Sequence, residues 1–468
     1  MRSRQEQVQA HRFITRRIIS GLLSGEPETN ELPMRRFGLA LFGSVMVAAI
    51  VFAIIGVIGL VNPGGGKPGT GELIIMRETG ARYVLVDDTL HPVLNWSSAL
   101  LFAGTENPAI RQMSRDSLSA YAVGEPIGIP GAPDPPPARG ALLRLPWSVC
   151  STPPDGGGAP TTTLFVGREP ATGEPLGAES ALLVVTPPDD SGAAETYVVY
   201  RDRRHRVVDE TTLTALELAA ITPVVVGKAL LNGIAGGPDL RQPRIDGLGQ
   251  TSSREVGGEE GEIGQVYRAG QQRYVLTQEG LVTIGDVSAK LLLADDPREI
   301  EISAAEAADA LVRGATVEPK DFPRTLPAIP TGQAADPMVC AVHGASGEAA
   351  AVHRYAAAPP GPAGGAGAVG GPGSGGVGTA DRVIVASGKG ALVRVEPAPG
   401  VNVDTTTYLI TDQGYKYPLR NEGNVNALVA LGYGGVEPLP VPSSLLALVP
   451  NGPVLDPIAA QRFVRPAT

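Results

Sequence analysis

A chain of 468 residues is long enough for two to four compact domains. Its 60 Gly and 43 Pro punctuate it with turns, and an aromatic content of 4% argues against one large continuous core. A net charge of −10 excludes a partner held by phosphate electrostatics, so no nucleic acid is expected.

The first 36 residues carry seven Arg (Arg2, Arg4, Arg12, Arg16, Arg17, Arg35 and Arg36) against four Glu. Residues 4 to 23 read as an amphipathic helix, with Val8, Ile14, Ile18 and Leu22 near one face and Arg4, Arg12 and Arg16 off it. An Arg-rich side suits an anionic inner leaflet or an acidic partner. Arg4, Arg12, Arg16, Arg17, Arg35 and Arg36 are therefore the candidate membrane- or partner-docking set.

Phe37 to Val61 is an uninterrupted apolar run of 25 residues. As a helix it reaches about 37 Å at ~1.5 Å per residue, enough to cross a hydrocarbon core of ~30 Å with some tilt. The Arg excess lies before it, so the positive-inside rule predicts a cytoplasmic N-terminus and an extracytoplasmic remainder. A cleaved signal peptide is disfavoured by the length of the run, the long leader and the lack of Ala-x-Ala before Asn62-Pro63. The residues after the span carry −13, against +3 before it. The reading is a bitopic membrane protein with an acidic ectodomain.

Beyond a flexible stalk (62–71), four segments share one pattern. They open at Arg82, Tyr197, Arg273 and Tyr408. In each, a Tyr starts a short β-branched run, a polar or Gly turn follows, and a second strand leads to an apolar helix opened by a capping residue. The turns are Asp87-Asp88, Arg201-Asp202, Gln278-Glu279-Gly280 and Asp412-Gln413-Gly414. Shared tails support the repeat: the stretch after Thr222-Pro223 resembles Val441–Leu446, and Gly236–Leu240 resembles Gly452–Leu455. Each unit is too small to bury a good core alone and needs packed neighbours.

Cys150 and Cys340 occupy matched places in this duplication. Tyr83 precedes Cys150 by 67 residues and Tyr274 precedes Cys340 by 66. Both lie outside the membrane on this reading, where disulfides form, so a Cys150–Cys340 bond closing a loop of about 190 residues is expected over two free buried thiols. Three strands from each half, around Cys150, Thr163–Val166 and Ala181–Val185, and around Cys340, Arg382–Val385 and Leu392–Val395, would form one six-stranded central domain.

The expected fold class is thus α+β. One N-terminal transmembrane helix precedes an elongated, pseudo-twofold ectodomain of four strand–helix repeats around a central six-stranded β domain. The divisions run as cytoplasmic region 1–36, span 37–61, stalk 62–71, repeat one 72–140, first central half 141–190 and repeat two 191–248. A mobile joint at 249–261 then leads to repeat three (262–334), the second central half (335–404) and repeat four with the tail (405–468). Residues 357–378, rich in Gly and Pro, form a loop expected to be disordered.

Catalytic motifs are missing from the sequence. Gly66-Lys67, Gly227-Lys228 and Gly388-Lys389 lack the upstream Gly and following Ser/Thr of a P-loop. Gly365 to Gly370 matches G-x-G-x-x-G only inside the low-complexity loop, with no strand before it. His11, His91, His205, His343 and His353 show no metal-ligand spacing, and no G-x-S-x-G elbow occurs. No enzyme activity, cofactor or metal is expected.

The start Arg2–Ile18, the single span, the four repeats, the paired cysteines and the Gly124–Asp134 run with its GIPGAPD core together resemble the EccB family of the type VII (ESX) secretion machinery. The resemblance implies a structural subunit of an inner-membrane complex that assembles with EccC, EccD and EccE, with further copies of itself and near the mycosin protease. The family's repeats are said to look like cell-wall-binding modules, which adds peptidoglycan to the candidate partners. An ATP-hydrolysing component is the remaining alternative.

Overall fold

A computed structural model describes residues 4–24, 33–61, 68–69, 71–154, 158–170, 173–189, 192–329, 338–344, 349–355, 379–396 and 406–464. Most of the stalk and the 357–378 loop fall outside the described residues. The chain forms two compact units: Met1–Pro92 with Ala109–Gly124, and Val93–Pro108 with Glu125–Thr468.

The first unit holds two long helices, α1 (Arg4–Ser24) and α2 (Pro33–Val61), and one five-stranded sheet. In that sheet Leu73–Met76, Arg82–Val86 and Thr89–Pro92 run antiparallel. Ile110–Met113 lies parallel beside the first of these strands and Ala122–Val123 parallel beside the third. Ile74, Leu85, Leu90, Met113 and Leu118 fill its core.

The second unit carries this strand order again. Ala181–Val185, Thr196–Tyr200 and Arg203–Val207 run antiparallel, flanked by parallel Val224–Val225 and Ala235–Gly236. Val266–Ala269, Gln272–Leu276 and Leu281–Ile284 pair likewise, with Glu299–Glu301 parallel to the first and a parallel bridge from Leu281 to Leu311. Gly390–Val395, Thr407–Thr411 and Lys416–Leu419 complete the set, with Leu439–Val441 and a Leu419–Leu455 bridge in the flanking places.

Local chemistry explains these elements. The two-residue turns Asp87-Asp88 and Arg201-Asp202 have positive φ at both positions (46° and 57°, 47° and 57°), the conformation that matches strand twist in a tight hairpin. Asn95, Asp209 and Asn426 cap the helices that follow the third strands. The third repeat departs from the expected pattern. Its helix Asp286–Leu293 follows Gly285, which has no side-chain acceptor, and Glu318 instead accepts from Gly285 N (2.6 Å) and Ser288 Oγ (2.7 Å).

The central sheet has six strands, but two of the expected members belong elsewhere. Its order is Arg382–Ile384, Thr161–Phe165, Trp147–Thr152, Met338–His343, Ala351–Tyr355, Glu174–Pro175. Ala181–Val185 and Gly390–Val395 instead open the second and fourth repeat sheets. A strand buried on both faces is apolar throughout, so its composition does not reveal which sheet it joins. The third strand of each half crosses over, with Arg382–Ile384 pairing Thr161–Phe165 and Glu174–Pro175 pairing Ala351–Tyr355. Where a mobile joint is expected, Thr251–Val256 and Glu259–Glu262 form a hairpin, and Val256 is buried with Tyr267, Leu276 and Leu281.

One hydrophobic cluster joins the central sheet to two repeats. Trp147, Val149, Leu164, Val339 and Val352 pack with Val184, Val199 and Leu230 of the second repeat and Val393, Ile410 and Leu445 of the fourth. The third repeat has a core of its own in Val266, Val275, Val282, Ile284, Ala289 and Leu292, while Val287 and Leu291 on the other side of its helix join Leu183, Val198 and Tyr200 of the second repeat in a further cluster.

Candidate functional site

Two places in the fold carry the sequence expectations for function: the N-terminal helices and the centre of the six-stranded sheet. Arg4, Arg12, Arg16 and Arg17 lie on α1, and its residues 4–19 are exposed. At 100° per residue Ile14, Ile18, Leu22 and Val8 share one arc, flanked by Arg12 and Arg16. Arg4 departs from the expected pattern, since it falls in line with Leu22 at the far end of the helix. Phe13 points away from the arc and is also exposed.

The second helix begins four residues before the apolar run, with Pro33 at its first position, where a missing N–H costs nothing. Arg35 and Arg36 sit in its first turns, though their side chains lie outside the described residues. The 21 residues from Gly38 to Ile58 carry no charge and have a mean hydropathy of 2.8, and none of the window is buried. Leu39 and Phe52 are each 74% exposed. Apolar surface costs roughly 25 cal/mol per Å² in water, so such a helix gains from a hydrocarbon surround.

In the central sheet Cys150 and Cys340 face each other across neighbouring antiparallel strands, with a Cα separation of 4.0 Å and a bonded S–S distance of 2.05 Å. Both are fully buried, packed by Phe165, Met338, Val342, Tyr355 and Ile384. Ser151 Oγ on the Cys150 strand accepts from Gly227 N of the second repeat (2.9 Å), tying the sheet to that repeat, and Asp381 accepts from Thr162 N (2.7 Å), a polar tie across the halves.

His343 and His353 do not converge. His353 lies opposite Cys340, three residues from His343 along the register, so the two rings project from opposite faces. Burial pushes His343 down to about 4, and its Nε2 has no hydrogen-bond partner. The unfolded chain takes up this proton near pH 6.5 and the folded protein only near 4, so stability rises with pH between these values. The contribution is fully present above about pH 6.5 and falls by about 3 kcal/mol on going to pH 4. Urea titrations should show wild type losing about that much more than His343→Phe between pH 7 and 4; parallel losses would contradict it.

The ring of His205 on the second repeat's third strand packs on Gly237 so closely that no Cβ fits, and its Nδ1 lies 2.9 Å from Pro238 O. Tyr417 and Gly452 are matched in the same way in the fourth repeat. These contacts give the shared tails a physical cause, since each Gly must lie flat under a ring.

The Gly124–Asp134 run ends on the helix Trp96–Ala103. Asn95 Nδ2 donates to Ile129 O (2.8 Å), Ile129 N to Ser98 Oγ (2.8 Å), Ser97 Oγ to Pro133 O (2.7 Å) and Trp96 N to Asp134 Oδ1 (3.0 Å). Sequence reasoning gave the cap before this helix but missed its tie to Ile129 and the roles of Ser97 and Ser98, whose signal is two small hydroxyl side chains in an otherwise apolar helix.

The family model described as "Type VII secretion system ESX-1, transport TM domain B" matches residues 2–463. The chain belongs to the EccB family of type VII secretion components. Among curated relatives, "ESX-3 secretion system ATPase EccB3" of Mycolicibacterium smegmatis is 28% identical, over 97% of this chain and 89% of that protein. "ESX-1 secretion system ATPase EccB1" of Mycobacterium tuberculosis is 26% identical over 71% and 70%. Two solved structures share the fold. One is a chain of "an intact ESX-5 inner membrane complex", with a TM-score of 0.68 and 22% identity, covering all of this chain and 97% of that one. The other is the "EccB3 dimer from the ESX-3 core complex", with a TM-score of 0.66 and 24% identity, covering 84% of this chain and all of that one.

Proposed function

We propose that this chain is a non-catalytic structural subunit of a type VII secretion membrane complex. It is anchored by α2, with α1 in the cytoplasm and the acidic ectodomain outside. The observation that carries the reading is the reach of the family match, which runs from the Arg-rich start through the span and both halves of the ectodomain. Anchor and ectodomain therefore act as one unit. The solved relatives, titled as an inner membrane complex and as a dimer, support other secretion components and further copies of this chain as partners. Peptidoglycan is a further candidate, tested by pull-down of the purified chain on sacculi.

The pseudo-twofold organisation of the central region is part of this reading. It is supported by the Cys150 and Cys340 strands lying side by side and by the exchange of third strands between halves. The symmetry is approximate, because Arg382–Ile384 runs parallel to its neighbour and Glu174–Pro175 antiparallel.

Orientation follows from the Arg excess before the span. Ser253 is exposed on the 251–262 hairpin and makes a suitable reporter. Ser253→Cys should react with a membrane-impermeant maleimide in intact spheroplasts, while Thr15→Cys should react only after lysis. The reverse pattern would overturn the topology.

The printed names of the relatives favour a second reading, an ATPase. The sequence has no P-loop, and the proposed topology places the ectodomain where ATP is scarce. ATP turnover that co-elutes with the purified chain would decide for that reading.

A further inference from the structure

The strand Met338–His343 meets a different neighbour on each side. Cys340 faces Cys150 on one side and His353 on the other, and Cys150 in turn faces Thr163. Directly opposed residues of antiparallel strands share a face, with Cβ atoms about 4.5–5.5 Å apart. Thr163, Cys150, Cys340 and His353 therefore form one row across the sheet, on the face packed by Met338, Val342 and Tyr355. The row is unsymmetrical. An imidazole stands beside Cys340 and a hydroxyl beside Cys150.

His353 is half-buried, and among the described residues no hydrogen bond or ion pair engages its ring. Tyr355 lies two residues along on the same face, its Oη donating to Pro170 O at 3.3 Å. Burial and the Glu169 carboxylate hold that phenol above its ordinary range, so it stays neutral and offers no competing base. On the far side His353 faces Pro175, while Arg354 and Glu174 are register partners directed to the opposite face. Chain order also matters. The strands of Cys340 and His353 are consecutive, whereas Cys150 lies 190 residues away. The shorter loop costs less to close, so the imidazole reaches Cys340 before the two halves meet.

We propose that His353 accepts the Cys340 proton as the disulfide closes, making Cys340 the attacking thiolate and Cys150 the sulfur attacked. Cys150 first attacks an external disulfide, losing its proton and releasing one half of that donor as a thiol. Cys340 Sγ then passes its proton to the imidazole and attacks Cys150 Sγ. The bond between the protein sulfurs forms as the bond from Cys150 to the donor breaks. The donor sulfur leaves with the electron pair and takes a proton from water. Two protein thiols are oxidised, and one donor disulfide is reduced to two thiols. An imidazolium beside a thiolate favours its formation at neutral pH, where a free thiol is mostly protonated.

The test follows reoxidation of the full chain in detergent micelles, after reduction with dithiothreitol in urea and return to urea-free buffer. Glutathione disulfide is supplied where the rate no longer rises with its concentration, so that closure itself is timed. Acid-quenched samples are mapped for the Cys150–Cys340 bond between pH 6 and 9. The thiolate fraction gained from the imidazole is partly offset by lower nucleophilicity, so His353→Gln should close about fivefold more slowly than wild type at pH 6.5. At pH 9, where a free thiol ionises unaided, the two rates should converge. Once oxidised, the variant should match wild type in hydrogen-exchange protection of the central strands. Identical pH profiles would overturn the proposal, and so would slowing by one factor at every pH, which marks a packing role alone. Wild type gives a second check that needs no variant. A rate rising about tenfold per pH unit up to pH 8.5, as for an unassisted thiol, would also overturn it.

Discussion

Cys340→Ser should destabilise the ectodomain by about 5 kcal/mol, the chain-entropy value for freeing a loop of 190 residues. A buried hydroxyl without a partner among Phe165, Met338 and Tyr355 adds on the order of 1–3 kcal/mol. Cys340→Ala separates the two contributions, because it breaks the bond without burying a polar group. The loss should not spread evenly. The second and fourth repeats share one hydrophobic cluster with the central sheet, so hydrogen exchange should quicken in 147–152, 161–165 and 338–343, and with them in 181–185, 196–200, 390–395 and 407–411. The sheet of the third repeat, whose core around Val275 and Ile284 is its own, should keep its protection, while its helix, which shares a cluster with the second repeat, is affected less than the central strands. Unchanged protection throughout, or non-reducing peptide maps that recover both thiols free from exported protein, would refute the clamp.

Much of this centre was legible in the sequence because duplication supplies a second measurement. Neither cysteine says much alone, but similar distances from two Tyr-led strands match them, and the strands that carry them pair directly. The apolar run from Phe37 to Val61 was legible for a simpler reason, since length and hydrophobicity are the whole signal. Strand membership was not legible. Ala181–Val185 and Gly390–Val395 are as apolar as true central strands, and only the register shows that they open repeats. Ala351–Tyr355 was hidden because His353 and Arg354 break its apolar pattern. The hairpin at 251–262 was read as a joint because both its faces are mostly polar, although Gly257-Gly258 is a strong turn signal.

The candidate sites divide in the same way. The candidate docking arginines could be named from charge alone, but the arc that Arg12 and Arg16 flank depends on a helical phase that a list of residues does not give. The place of His353 beside the disulfide was not legible, because the strand that carries it was hidden. The proline cluster in and after GIPGAPD was visible, but its use was not. A proline has no amide hydrogen to donate, and the structure uses proline carbonyls here as acceptors, that of Pro133 for Ser97 and that of Pro137 for Tyr433.

Removal of residues 2–32 should abolish recovery of the other secretion components with a tagged chain, while leaving the ectodomain folded. Keeping Pro33 to Arg36 preserves two positive charges before the span, so insertion should retain its direction. The deleted helix exposes nearly all its described side chains, so its loss uncovers no hydrophobic core. What it removes is the arc of Ile14, Ile18 and Leu22 with Arg12 and Arg16 beside it, a surface that gains free energy only against lipid headgroups or an acidic partner. Arg12→Glu/Arg16→Glu/Arg17→Glu in the full-length chain is the sharper form of the test, because it keeps the helix and reverses its charge. Each lost juxtamembrane cation is worth about 1 kcal/mol at an anionic surface, so reversing three should cost at least a hundredfold in apparent association. Recovery is read by quantitative mass spectrometry of detergent-extracted membranes, and disulfide formation reports that the ectodomain was exported and folded. Normal assembly and secretion by both variants would show that the docking element lies elsewhere, in α2 or in the ectodomain. Loss with the deletion but not with the charge reversal would assign docking to the apolar arc.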